Sequence, residues 1–181
     1  MPKFRVYLAA SVDGYIAETD GSVAWLDGFG SEDYGYEAFA AGIKTVIMGR
    51  TSFDQTVSFD VPWPYAGKRS LVMTHRDPPD IAPDDVSFVS GAAQDIAAGL
   101  EDTDSDVWLM GGAEVIGQFL DAGLVDTIEI FVMPILLGSG IPTFSGDRSG
   151  PGPAVELTGS TRFDSGVVRL FYTAKKNATA D

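Results

Sequence analysis

The chain has 181 residues, 45% hydrophobic and 21% charged, a composition that suits a globular protein burying its own core without crosslinks. A formal net charge of −14 opposes the phosphate backbone of nucleic acid, and the absence of cysteine excludes disulfides, thiolate nucleophiles and cysteine-ligated zinc. No apolar run has the length that crosses a bilayer and no early segment reads as a signal peptide, so the expectation is one cytoplasmic domain over residues 1–181, without a membrane, nucleic-acid or metal-binding role.

KFRVYLAASV at 3–12 opens with alternating Phe4, Val6 and Leu8 and predicts a strand. DGYIAETDGSVAWL at 13–26, with Gly14 and Gly21, predicts a long, turn-rich loop. Ser31 can cap a helix running to about Ile43, with Glu32 and Asp33 near its positive end. KTVIMG at 44–49 is a second strand, and RTSFDQTV at 50–57 a short helix directly after it. Beyond the Pro-rich loop VPWPYAG, RSLVMT at 69–74 is a third strand, stopped at HRDPPD by its prolines. VSFVS at 86–90 is a fourth strand, residues 92–101 a helix, and DVWLM at 106–110 a fifth strand. GGAEVIGQFLDAG at 111–123 is a helix with Gly123 at its C-terminal stop. Three strand-like runs close the chain: DTIEIFVMP (126–134), AVELTGSTRF (154–163) and GVVRLFYTAK (166–175).

Strands that alternate with helices up to residue 123 imply parallel pairing, and the strand-rich tail implies an antiparallel edge. The fold class is therefore α/β with a mixed, mostly parallel sheet. Ligands of such sheets bind outside the carboxyl ends of the strands. Three predicted ends suit a dinucleotide: Gly49-Arg50-Thr51, Thr74-His75-Arg76 and Gly111-Gly112-Ala113. Between Arg5 and Arg148 the cations are Lys44, Arg50, Lys68, Arg69 and Arg76, with the single histidine, His75, beside the last. This window of positive charge in an acidic chain points to a small anionic ligand, or to uneven scatter of few cations.

Gly111 and Gly112 stand between a strand and a helix, where backbone can approach a pyrophosphate and the free N–H groups of the helix point at it. Taken alone, a Gly-Gly before a helix is more often a tight turn, and neither a G-x-G-x-x-G fingerprint nor a Walker lysine accompanies it. Arg50 with Thr51, at the start of the following helix, can hold phosphate by charge-assisted hydrogen bonds; the competing explanation is an exposed or cap-paired charge. His75 and Arg76 can grip a second phosphate, or be turn residues with Arg76 paired to Asp77 or Asp80.

VIMGRTSFD, VMTHR, LMGGAEVIGQFL and MPILLGSGIPTF, in that order, resemble the dihydrofolate reductase-like superfamily, in the branch that includes the reductase domain of riboflavin biosynthesis. The likeness runs from YLAASVDGYIA to VVRLFYTA. It implies a three-layer fold, bound NADPH, hydride transfer to a pteridine- or pyrimidine-type heterocycle, and a homodimer. By motif, Gly49, Arg50 and Thr51 would meet cofactor phosphates, and Thr74, His75 and Arg76 the 2′-phosphate side. Gly111, Gly112, Ala113, Glu114, Val115 and Ile116 would meet the pyrophosphate, and Ala10, Ile16, Gly21 and Ser22 the nicotinamide.

The resemblance also asks for a carboxylate on the helix before the second strand, because reduction of a C=N bond needs a proton with its hydride. Asp33 is the candidate, with Glu37 one turn further along the same face. Asp33 could equally serve the helix dipole. Asp13 in SVDG resembles the loop aspartate of the riboflavin branch, although an Asp-Gly turn explains it too. No deaminase pattern of the H-x-E and P-C-x-x-C type is present, which implies a stand-alone reductase. Residues 6–43 hold no cation, which argues against a phosphorylated substrate. Trp25, Tyr34 and Tyr36 offer flat surfaces for an uncharged heterocycle, or belong to the core. The alternative to an NADPH-dependent reductase is a non-catalytic NADP(H)-binding module on the same scaffold.

Overall fold

The computed structural model describes residues 2–30, 32–101, 106–145 and 152–175. In chain order the elements are β1 (Phe4–Ser11), β2 (Tyr15–Ala17), a 3-10 segment (Ala24–Phe29), α1 (Tyr36–Ala41), β3 (Ile43–Gly49), α2 (Arg50–Ser58), β4 (Arg69–Met73) and β5 (Val86–Val89). There follow α3 (Ala93–Ala98), β6 (Asp106–Gly111), α4 (Ala113–Asp121), β7 (Val125–Met133), β8 (Ile141–Pro142), β9 (Val155–Arg162) and β10 (Val168–Ala174).

All eight predicted strands join one sheet, in the order β5-β4-β3-β6-β1-β7-β10-β9. Pairing is parallel from β5 to β7, and β10 is antiparallel to both β7 and β9. The near-continuous apolar run of β3 follows from its central position, since Val46, Ile47 and Met48 are all fully buried and face opposite sides in turn. One face packs Ile47, Leu71, Val107 and Leu109 under Ile96 of α3 and Ile116, Phe119 and Leu120 of α4. The other packs Val46, Met48, Val72 and Trp108 under Phe39 of α1 and Phe53 of α2. The result is the three-layer arrangement expected from the sequence.

The helix after β1 is shorter than predicted. Ser31 lies outside the described residues, Ile43 belongs to β3, and α1 begins only at Tyr36. Tyr34 and Gly35 take positive φ (54° and 85°) and separate Asp33 from the helix. Asp33 nonetheless supplies the cap: its Oδ2 accepts from the Gly35 N–H at 2.9 Å and its Oδ1 from the Glu37 N–H at 3.1 Å. Asp33 and Glu37 are therefore not successive positions on one helical face. The predicted loop at 13–26 also carries structure, because β2 pairs antiparallel with β8. The α4 stop is as expected: Gly123 has φ +66°, and the Leu124 N–H bonds the Phe119 carbonyl.

Candidate dinucleotide and substrate site at the strand ends

β3 and β6 are neighbours in the sheet, yet α2 leaves β3 on one face while α4 leaves β6 on the other. A chain that departs in opposite directions from adjacent parallel strands opens a crevice at their carboxyl ends. Across this edge the predicted residues stand in sheet order. Thr74, His75 and Arg76 follow β4; Gly49, Arg50 and Thr51 join β3 to α2; Gly111 to Ile116 join β6 to α4; and Ala10 lies near the end of β1. Three strand steps from β4 to β1 span about 14 Å, a length that suits an extended dinucleotide.

The two helix starts meet in the crevice. Neither α2 nor α4 has a side-chain cap hydrogen bond at its N-terminus, and both follow an extended glycine, Gly49 or Gly112. A Cβ on Gly49 would stand 3.4 Å from Val115 Cγ2 and 3.9 Å from the Gly112 nitrogen. Above Gly112 there is room: a Cβ there would meet only Ser52 Oγ, at 3.7 Å. Gly111 adopts φ +127°, outside the range of ordinary side chains, and the Gly111–Gly112 peptide is cis. The side chains of Ala113, Val115 and Ile116 are buried in the core, so what this turn offers a ligand is backbone, with Glu114 exposed.

Arg50 opens α2 at the positive end of its dipole, an unfavourable place for a cation unless an anion shares it. Its Nε donates to Asp54 Oδ1 at 2.6 Å and its Nη1 to the Asp77 carbonyl at 2.8 Å, while the guanidinium carbon lies 5.8 Å from the Phe88 ring centroid. Arg76 Nη2 donates to Asp54 Oδ2 at 3.2 Å. The predicted competitors for Arg76, Asp77 and Asp80, are thus replaced by a residue on α2. Thr74 Oγ1 accepts from the Arg76 N–H at 2.9 Å, and His75 and Thr51 are exposed.

At the end of β1 and in the loop that follows it, Ala10 is buried and Ile16, Gly21 and Ser22 are half-buried. The Gly21 carbonyl accepts from Gln55 Nε2 at 2.7 Å, which ties this loop to α2. Nothing in the sequence points to Gln55, and only its i,i+4 spacing from Arg50 points to Asp54.

The three candidate carboxylates differ in their surroundings. Asp33 caps α1, and its charge helps to raise the Tyr7 phenol, whose main cause of elevation is burial, followed by Glu129. Glu37 is exposed in the first turn of α1. Asp13 accepts from the backbone N–H groups of Leu137 (3.1 Å) and Gly138 (2.7 Å), clamping the loop before β8. The Ser11 hydroxyl, more than these backbone donors, holds its carboxyl below the usual range.

Most of the aromatic residues pack on one another. Tyr7 is stacked on Phe39 with ring centroids 4.3 Å apart and lies 4.6 Å from Phe131. Tyr34 meets Phe163 edge-on, Tyr36 meets Trp108, and Trp25 joins the Phe131 and Met133 cluster, where its buried Nε1 has no hydrogen-bond partner. Burial raises the Tyr36 phenol and pushes Tyr65 up to about 12, so these hydroxyls stay protonated at neutral pH. Cavities of about 280 Å³, against Arg169 and Phe171, and about 320 Å³, between Leu120 and Tyr172, include none of the predicted site residues.

This sheet and its strand-end crevice define a dihydrofolate reductase-like fold. Residues 2–169 match the RibD C-terminal domain, and the chain belongs to that family. It is 38% identical over 144 residues to the uncharacterized protein YwjB of Bacillus subtilis, covering 78% of this chain and 82% of the relative. A solved structure from Shewanella sp. PV-4, named for riboflavin biosynthesis, superposes with a TM-score of 0.84 at 30% identity, covering 96% and 99% of the two chains. Dihydrofolate reductase of Enterococcus faecalis, solved with NADP(H), shares the fold with a TM-score of 0.64 at 16% identity over 95% and 96%.

Proposed function

We propose that this chain is an NADPH-dependent reductase that delivers hydride to a flat nitrogen heterocycle of pteridine or pyrimidine type. The observation that carries the reading is the order of the strand-end residues: groups suited to the 2′-phosphate, the other phosphates and the nicotinamide follow one another along a single edge. The residues present fit such a cofactor, because two uncapped helix N-termini adjoin an open glycine surface flanked by arginines. When bound, the reduced nicotinamide supplies the hydride. The chain's own residues bind and orient it: Arg50, Thr51 and the Gly112 turn hold phosphate, Arg76 with His75 reads the 2′-phosphate, and the Gly21 loop covers the nicotinamide. Asp33 orients the substrate and assists its protonation. The absence of cations in residues 6–43 favours a substrate without phosphate. A cytoplasmic homodimer goes with this reading through the family resemblance.

One observation favours the alternative, an NADP(H)-binding module without turnover. The rings suited to stacking a heterocycle pack against the protein's own aromatics, Tyr34 edge-on to Phe163 and Tyr36 edge-on to Trp108, with Trp25 in the Phe131 cluster. The deciding experiment is a binding titration with NADPH followed by single-turnover oxidation against a panel of pteridines and pyrimidines. Binding with oxidation by at least one substrate supports the reductase; binding with no oxidation across the panel supports the module.

A further inference from the structure

Asp54 lies between Arg50 and Arg76 and pairs with both. Its Oδ1 takes Arg50 Nε at 2.6 Å and its Oδ2 takes Arg76 Nη2 at 3.2 Å. Both carboxylate oxygens are thus committed to cations that come from different strand ends. Asp54 is on the second turn of α2, and no acidic residue sits in the first turn, so this carboxylate is the anion nearest to Arg50 along the helix. The trio carries a net charge of +1 rather than +2.

We propose that Asp54 is a built-in competitor for phosphate, which lowers the affinity of Arg76 for a 2′-phosphate and thereby limits the preference for NADPH over NADH. The proposal rests on the dinucleotide reading given above. Two physical roles for Asp54 can be separated on the structure. If it were a scaffold, Arg50 would depend on it for position; but Arg50 is also held by the Asp77 carbonyl at 2.8 Å and lies over Phe88. Arg76 has a side chain 60% exposed and Asp54 one 43% exposed, and an ion pair so exposed opens at little cost. The arginines therefore do not need Asp54 to stay near the crevice. A dianion that approaches them must either displace this carboxylate or lie beside it, and both weaken binding through like-charge repulsion that salt screens. A ligand without the 2′-phosphate meets Asp54 only where it pairs with Arg50, so Asp54 weakens such a ligand less than one that carries the 2′-phosphate.

The test uses the full chain with 2′,5′-ADP and 5′-AMP, which differ by the phosphate in question, titrated by calorimetry into wild type, Asp54→Asn and Asp54→Ala at low and moderate salt. Thermal unfolding checks that each variant folds, and alanine at this exposed helix position is compatible with the helix. The expected result is about two- to five-fold tighter binding of 2′,5′-ADP by both variants, the size of an exposed charge interaction. Affinity for 5′-AMP rises by a smaller factor, and the gain shrinks as salt rises; an equal gain for the two ligands overturns the effect on discrimination. Unchanged or weaker binding of 2′,5′-ADP in the variants, with wild type still preferring it to 5′-AMP, overturns the proposal and leaves the dinucleotide reading intact. Wild type that binds neither probe overturns both.

Discussion

The Arg5 guanidinium donates to Glu129 Oε1 at 2.8 Å, joining β1 to β7 beneath α1, and Glu129 is 2% exposed. Arg169 of β10 takes the other oxygen at 2.6 Å, and Arg5 reaches Asp106 of β6 at 2.9 Å. Four adjacent strands are thus crossed by one line of alternating charge on the face that carries Tyr7, Trp108 and Phe131. Removing the central carboxylate leaves two guanidiniums facing each other, one 21% and one 33% exposed. Glu129→Ala is expected to destabilise by about 3 kcal/mol, at the low end for a broken buried pair because the arginines keep some water. Urea unfolding measures it; a loss below about 1 kcal/mol would show that the arginines re-solvate freely.

The glycine pair separates folding from binding. Gly111 at φ +127° has no space in conformational terms for a side chain, so Gly111→Ala should cost about 1–3 kcal/mol of stability. Gly112 has ordinary φ (−69°), and a Cβ there would make only ordinary contact, with Ser52 Oγ at 3.7 Å. Gly112→Val should melt within a few degrees of wild type while its methyls occupy the phosphate approach, weakening NADPH about tenfold or more. Normal NADPH affinity in this variant would reduce the pair to a turn.

Strands and helices were legible where their period was long enough to read. Period-2 alternation in β1 and the strand-to-helix joints at Gly49 and Gly112 are local signals, and local signals survive folding. The α1 start is not legible in the sequence because Asp33 acts on it across Tyr34 and Gly35, whose positive φ values are not written in the Ser31-Glu32-Asp33 pattern. β2 and β8 are too short for any period. Of the candidate site, the strand-end glycines and arginines are legible from residue type and position. The partners that set their electrostatics are not: Arg76 meets Asp54 across 22 residues and Arg5 meets Glu129 across 124, separations that only the sheet order closes.

Asp13 gives a pH signature. Its folded pKa is depressed, chiefly by the Ser11 hydroxyl and then by the Gly138 and Leu137 N–H groups. A depressed carboxylate adds stability above its unfolded pKa, and that stability is lost as pH falls through the folded value. Asp13→Asn should therefore melt lower than wild type at pH 7. The gap should persist to about pH 5, then narrow below about pH 4 as the wild-type carboxylate takes up its proton. A gap that stays constant from pH 7 to pH 3 would remove the charged clamp as its cause.

For the chemical step, Asp33→Asn keeps one of the two backbone hydrogen bonds at the start of α1 and turns an amide NH2 toward the other donor, so thermal unfolding accompanies the assay. If Asp33 assists protonation, turnover at neutral pH should fall about 10²-fold with NADPH affinity unchanged. Glu37→Gln, altering an exposed first-turn residue, should change turnover much less. Equal loss of turnover and NADPH binding in Asp33→Asn would assign that carboxylate to structure.

Cofactor preference tests the strand-end reading most directly. Arg76 leaves β4, the neighbour of β3, and its Nη2 is bonded to an exposed carboxylate rather than locked in the core. A guanidinium so placed can take a phosphate by charge-assisted bonds that NADH cannot form. Because the side chain is 60% exposed, the lower end of the usual range applies, about 1.5 kcal/mol or roughly tenfold in affinity. Wild type should prefer NADPH to NADH by about that factor, Arg76→Ala should erase most of it, and added salt should narrow it in wild type alone. Arg50→Ala should instead weaken both cofactors, since its helix start faces the crevice shared by both. The measurement is a fluorescence titration of the three proteins with each cofactor at two salt concentrations. An affinity ratio unchanged by Arg76→Ala would remove Arg76 from the cofactor site and leave its pairing with Asp54 as surface chemistry.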